Sequence, residues 1–197
     1  MTATAIHSRR ARSARGPRIV ARVREIANSP RTRDLTVLAG FATIVASAAI
    51  LGTRFSPASN DLRTRLWYGT RRKARWNPPP AAFAPVWTAL YAMIAIAGWR
   101  VYRAPRTKAR TRALALWGAQ MAFNAAWTPL FFGARKPRVA LADLVAMAGS
   151  TAGFIATSYK VDRTASRLML PYLAWTSFAG YLNASIVSKN RFRPDSI

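Results

Sequence analysis

Residues 35–53 read LTVLAGFATIVASAAILGT, a run of 19 residues without a charge. As an α-helix rising about 1.5 Å per residue, the run would extend roughly 28 Å. That is close to the ~30 Å hydrocarbon thickness of a bilayer. A helix at a soluble surface needs a polar face, and this run has only scattered Thr and Ser, so it reads as a membrane span. Four more apolar stretches follow at 80–102, 114–133, 139–158 and 168–188, and the last four are joined by short basic connections. Short connections make antiparallel neighbours, so the fold class expected is an all-α, polytopic membrane protein, a five-transmembrane-helix bundle spanning 35–190.

The flanks are different in kind. Residues 1–34 are rich in Arg and Ser and form a basic N-terminal tail, and 191–197 form a short C-terminal tail. The N-terminal segment suits a disordered cationic strap on anionic lipid. Its composition also resembles an organelle transit peptide. The loop at 54–79 is long for a connection between helices and holds seven of the basic residues, a length often associated with function.

Charge and composition narrow the class. The chain has 31 Lys+Arg against 6 Asp+Glu, yet 51% of its residues are hydrophobic. A nucleic-acid binder would gather its basic residues on one face; here they flank the spans, so no nucleic-acid partner is expected and membrane lipids are. The basic residues divide almost evenly between the two ends of the bundle, and leaving out the N-terminal tail reverses the excess, so orientation does not follow from the positive-inside rule. There is no cysteine and a single histidine, His7 in the tail. Disulfides, thiolate metal sites and a histidine ligand to haem iron in the core are excluded, and no metal site is expected.

Polar and aromatic residues inside the spans carry the chemistry, because they cost free energy unless they face the bundle or a cavity. Gln120, Asn124 and Trp127 fall at i, i+4 and i+7 on one stripe of the third span. The opposite stripe, Gly118, Ala122 and Ala126, is small and permits close helix approach. The second span carries Phe83, Trp87 and Tyr91 at intervals of four; the fifth carries Tyr172 and, sharing one face at i, i+4, i+7 and i+8, Trp175, Ala179, Leu182 and Asn183. If these stripes converge they form a pocket with flat aromatic walls and a few hydrogen-bonding groups, suited to a large planar ligand. Spacing alone leaves a second reading open, in which the aromatics form interface belts and the amides join helices. Trp67, Trp76, Trp99 and Trp117 read as interface anchors or loop packing. Asp143, the one acid within a span, reads as the ion-pair partner of Arg135, Lys136 or Arg138, or of a basic residue from another loop. Pro129 predicts a kink or an early helix end. No nucleophile–His–acid set, carboxylate pair or phosphate-cradling loop is present.

Several strings resemble the translocator protein/tryptophan-rich sensory protein family, also called the peripheral benzodiazepine receptor family. They are Trp67-Tyr68, WNPP at 76–79, PVWTALY at 85–91, Gln120, NAAW at 124–127 and FFGAR at 131–135. ALADL at 140–144, RLMLPYLAW at 167–175 and FAGYLN at 178–183 complete the series, in the family's order and spacing. The resemblance implies a five-helix membrane bundle, often dimeric, with a pocket opening toward the first loop. It implies binding of porphyrins, haem and benzodiazepine-type ligands, and in some members cholesterol. Carried across position by position, it places Trp87, Trp175, Asn124 and Trp127 in the pocket, Tyr91 and Ala179 in its walls, and Tyr68 and Pro79 in a first-loop lid. With Phe83, Gln120 and Asn183 from the spacing argument, these form the expected ligand site.

The function expected is a multi-pass membrane binder, sensor or carrier of tetrapyrroles in a bacterial envelope or an organelle membrane. No cofactor is required, porphyrin or haem is the ligand, and a homodimer is expected. The alternatives are light- or oxygen-dependent porphyrin breakdown, with Trp87 and Trp175 as redox-active side chains, and a scaffold without a small-molecule ligand. Two departures stand out. Arg71-Arg72-Lys73-Ala74-Arg75 replaces the family's Lys-Pro before WNPP, making the lid more cationic. Ala184 stands where the animal cholesterol motif has Tyr, and seven residues separate Tyr181 from Lys189, beyond that motif's gap.

Overall fold

The computed structural model describes residues 29–57 and 61–190. The tails expected at 1–34 and 191–197 lie outside the described residues, apart from 29–34. Among those described, the chain is helical, with no strand. The helices are α1 (Pro30–Phe55), α2 (Leu62–Thr70), α3 (Pro80–Arg103), α4 (Lys108–Thr128), α5 (Pro137–Ser158), α6 (Arg163–Leu168) and α7 (Leu170–Lys189), with a π-helical turn at Pro129–Gly133 after α4. By proximity the chain divides into Met1–Ala39 and Gly40–Ile197. The core and the candidate site lie in the second unit.

The helix count differs from the expected five, because two short helices are added. α2 forms within the first loop, where Asp61 accepts from the backbone N–H groups of Arg63 (3.1 Å) and Thr64 (3.3 Å) and so caps it. The Thr64 hydroxyl also donates to Asp61, and that bond, opposed by desolvation, holds the carboxyl below its usual range. α6 forms because Asp162 accepts from Ala165 N–H at 2.8 Å. It stops before α7 because Pro171, at the second position of the next helix, has no amide to continue the ladder.

Among the described residues, three helical segments are long and apolar enough to cross a membrane: Pro30–Phe55, Ala81–Arg103 and Pro137–Ser158. α4 and α7 fall short by composition. α4 opens with Lys108, Arg110 and Arg112 and carries Gln120 and Asn124, while α7 carries Tyr172, Trp175, Thr176 and Asn183. α1 starts earlier than the apolar run, since the Ser29 hydroxyl accepts from Thr32 N–H (3.2 Å) and Pro30 occupies the first helical position. At Pro129 the α-helical bonding ends, as expected of a residue without N–H, but the chain winds on through one π turn, closed by Ala134 N–H to the Pro129 carbonyl at 2.7 Å.

α4 packs most extensively on α5, and α5 on α7. The core between them and α3 holds Ile94, Ala97, Val101, Met121, Leu144, Met147, Phe154 and Met169. Trp117 belongs to this core instead of anchoring an interface. It is 5% exposed, and its indole N–H donates to the Ile94 carbonyl at 2.9 Å. Burial of an indole requires that acceptor, and the α3 backbone supplies it. Phe41 of α1 meets Trp117 edge-on at 4.8 Å over Gly98. A Cβ at Gly98 would lie 2.6 Å from the Phe41 ring and 2.7 Å from the Trp117 nitrogen, so the backbone of α3 is bare where two aromatic rings cross it.

Asp143 departs from its expected pairing. It is 9% exposed, forms no ion pair with Arg135, Lys136 or Arg138, and among the described residues its Oδ2 has no hydrogen-bond partner. Lys136 and Arg138 are exposed, and Arg135 lies within electrostatic reach of Asp61. Arg100 at the end of α3 pairs with Asp162, with nitrogen–oxygen distances of 3.0–3.2 Å.

Candidate functional site

Intervals of four along α3 set Phe83, Trp87 and Tyr91 on one face, and that face meets α7. Trp87 and Trp175 lie with ring centroids 6.4 Å apart and planes at 86°, an edge-to-face contact. Phe83 meets Trp175 at 5.8 Å, Tyr91 lies 5.1 Å from Trp87, and Tyr172 lies 6.4 Å from Trp87. Quadrupole attraction favours such tilted and edge-on pairs, each worth about 0.5–1.5 kcal/mol beyond burial. Ala179, like both tryptophans, is partly buried against the main core. Both indoles remain partly exposed, whereas Asn124 and Tyr172 behind them are buried.

Behind the indoles runs a polar chain. The Tyr91 hydroxyl donates to Asn124 Oδ1 (3.2 Å), Asn124 Nδ2 donates to the Tyr172 hydroxyl (2.9 Å), and that hydroxyl donates to Met147 Sδ (3.1 Å). Asn124 is 6% exposed and Tyr172 is completely buried. One amide thus uses its oxygen toward α3 and its nitrogen toward α7, and Met147 of α5 accepts the last hydrogen bond. Four helices are tied at one level by groups that would each be costly to leave unpaired.

The remaining expected residues divide. Trp127 is stacked on Phe131 (5.1 Å, 20°) and touches both the main core and a second cluster of Trp67, Phe131, Phe132, Ala140 and Ile186. Its indole nitrogen is buried without an acceptor among the described residues. Tyr68 joins this second cluster, 5.3 Å from Phe132, and its hydroxyl donates to Asn77 at 3.5 Å; burial raises its pKa, against the Asn77 bond. Pro79 is exposed and fixes the start of α3. Gln120 is wholly buried, and neither of its amide atoms has a partner among the described residues. Asn183 is apart from the tryptophans: with its amide turned to suit, it donates to the Pro137 carbonyl (3.0 Å) and accepts from Leu141 N–H (3.1 Å), joining α7 to α5.

Tyr172 was missing from the expected site set, although it stands one turn before Trp175 on the same helix. The signal was the second half of the Asn124 amide, which needs an acceptor as well as a donor. Phe131 and Phe132 were also missing, because their place depends on the π turn after Pro129.

The TspO/MBR family model matches residues 41–188. The chain is 39% identical over 127 residues to the translocator protein homolog of Schizosaccharomyces pombe, covering 63% of this chain and 77% of that one. It is 36% identical over 130 residues to the tryptophan-rich sensory protein of Cereibacter sphaeroides, covering 66% and 80%. To the translocator protein of Homo sapiens it is 35% identical over 153 residues, covering 77% and 88%.

Proposed function

The chain belongs to the TspO/MBR family, and on that premise we propose that it is a five-span membrane protein that binds a planar tetrapyrrole, porphyrin or haem, at the Trp87–Trp175 cluster. The observation that carries this reading is the meeting of two partly exposed indoles from α3 and α7, 6.4 Å apart, in front of the Tyr91–Asn124–Tyr172 chain. The indole faces offer stacking to a flat ring system, and the polar chain fixes their helices. The bound ring stays within the apolar slab, and no protein ligand to a metal is required.

α4 and α7 act as spans in this reading although their composition is less apolar. Gln120, Asn124, Tyr172, Thr176 and Asn183 are buried within the bundle, where they are not lipid-exposed. The protein is an assembly of two copies with Gly118 and Ala122, exposed on α4, as the closest-approach face. Titration of purified protein in nanodiscs with protoporphyrin tests the reading. Saturable quenching of tryptophan emission is the expected result, and its absence at micromolar ligand rejects the site.

A further inference from the structure

The first loop is held at a point far from it in sequence. Asn190, at the C-terminal end of α7, accepts from Arg72 N–H at 3.1 Å and returns a bond from its Nδ2 to the Arg72 carbonyl at 3.0 Å. The same Nδ2 lies 2.8 Å from the Ile186 carbonyl, which locks the side chain to the last turn of its own helix. Its neighbour Lys189 donates to the Lys73 carbonyl at 3.0 Å. A side-chain amide that pairs with both backbone groups of one residue mimics a strand partner and fixes that residue's position and orientation. Arg71 and Lys73, on either side of Arg72, lie over the rings of Trp67 (4.9 Å) and Tyr68 (4.3 Å). The clamp therefore sets the register of the whole turn after α2.

This turn lies between the second aromatic cluster and the helix that carries Trp87. Upstream, Trp67 and Tyr68 pack on Phe131, which stacks on Trp127. Downstream, the chain runs through Pro79 into α3, whose first turns carry Phe83 against Trp175. We propose that Asn190 and Lys189 are positioning residues that latch the first loop to the end of α7 and so hold the entry of α3 toward the tryptophan site, so that the rate of ligand entry and exit is set by release of this clamp. The ligand half of the inference rests on the tetrapyrrole reading. The latch itself does not.

The test uses the full chain in nanodiscs and two variants, Asn190→Ala and Lys189→Met. The loop carries its own reporter, since Arg71, Arg72, Lys73 and Arg75 are trypsin sites, and Arg106 in the α3–α4 connection serves as an internal reference. Asn190→Ala is expected to raise cleavage at 71–75 at least fivefold relative to cleavage at Arg106, with Lys189→Met less affected. Capture of protoporphyrin by excess serum albumin should become at least fivefold faster in Asn190→Ala, while binding also quickens and the equilibrium affinity changes by less than the rates. A loss of affinity that tracks a fall in melting temperature, with no change in relative cleavage, would overturn the latch. Faster cleavage with unchanged ligand exchange would overturn its gating role. If the unaltered protein takes up no protoporphyrin, the tetrapyrrole reading and the gating role fall together, and the cleavage ratio still decides for or against the latch.

Discussion

Asn124 on α4 donates to the hydroxyl of Tyr172 on α7 at 2.9 Å, across 48 residues of sequence, and both groups are buried. Because the same amide accepts from Tyr91, this one side chain fixes the distance between the two helices that carry the tryptophans.

Asn124→Leu is therefore expected to destabilise the fold by about 1–3 kcal/mol, since it strands the buried Tyr172 acceptor and the Tyr91 donor together. Tyr91→Phe, which removes only a donor from a partly buried position, should lose about 1 kcal/mol or less. Thermal unfolding in detergent, followed by circular dichroism, compares the two. Equal effects would show that the amide does not hold the knot.

Gln120 has the opposite expectation. Its amide is wholly buried with both atoms unpaired among the described residues, so Gln120→Leu removes an uncompensated desolvation penalty. The melting temperature should stay level or rise. A fall of several degrees would mean that the amide has a partner in the membrane-embedded protein.

Gly98→Ala should destabilise by about 1–3 kcal/mol, because the added methyl would meet the Phe41 ring and the Trp117 indole nitrogen under 3 Å. Gly118→Ala, where a Cβ meets nothing within 4 Å, is the matched control and should leave the melting temperature of the isolated chain unchanged.

Asp162 links stability to pH. Burial raises its pKa, but the Ala165 N–H and the Arg100 guanidinium outweigh that, and the carboxyl is held below its usual value. A lowered folded-state pKa gives stability that is present above the ordinary carboxylate range and lost as pH falls through the lowered value. Asp162→Asn should thus flatten the acid side of the stability profile and lower the neutral-pH stability by about 1 kcal/mol, most of it from weakened capping and the lost partly exposed ion pair. A variant as acid-sensitive as the parent would assign the transition to another carboxylate.

The order of the long helices and the aromatic faces could be read directly from residue spacing. A run such as 35–53 has one physical reading, and Phe83, Trp87 and Tyr91 at intervals of four must share a face. What spacing left open was partner choice. Asp143 lies within reach of three basic neighbours in sequence, yet the helix turns it into the bundle and away from them. Asn183 and Asn124 look equivalent on a helical projection, but one joins α5 to α7 through backbone groups and the other joins side chains around the tryptophans. Trp117 looks like an interface residue until the bare backbone at Gly98 admits it to the core. Such choices are set by neighbours distant in sequence, which local periodicity does not encode. The clasp of Asn190 on Arg72 spans 118 residues and is of the same kind.

The most direct measurement is the protoporphyrin dissociation constant of the Trp87→Phe/Trp175→Phe double variant, read from the porphyrin's own absorbance and set beside a Trp99→Phe control. Loss of two indole stacking surfaces should weaken binding by at least tenfold, about 1.4 kcal/mol, with the control unchanged. Equal affinity in the double variant, the control and the parent would contradict a ligand site between α3 and α7.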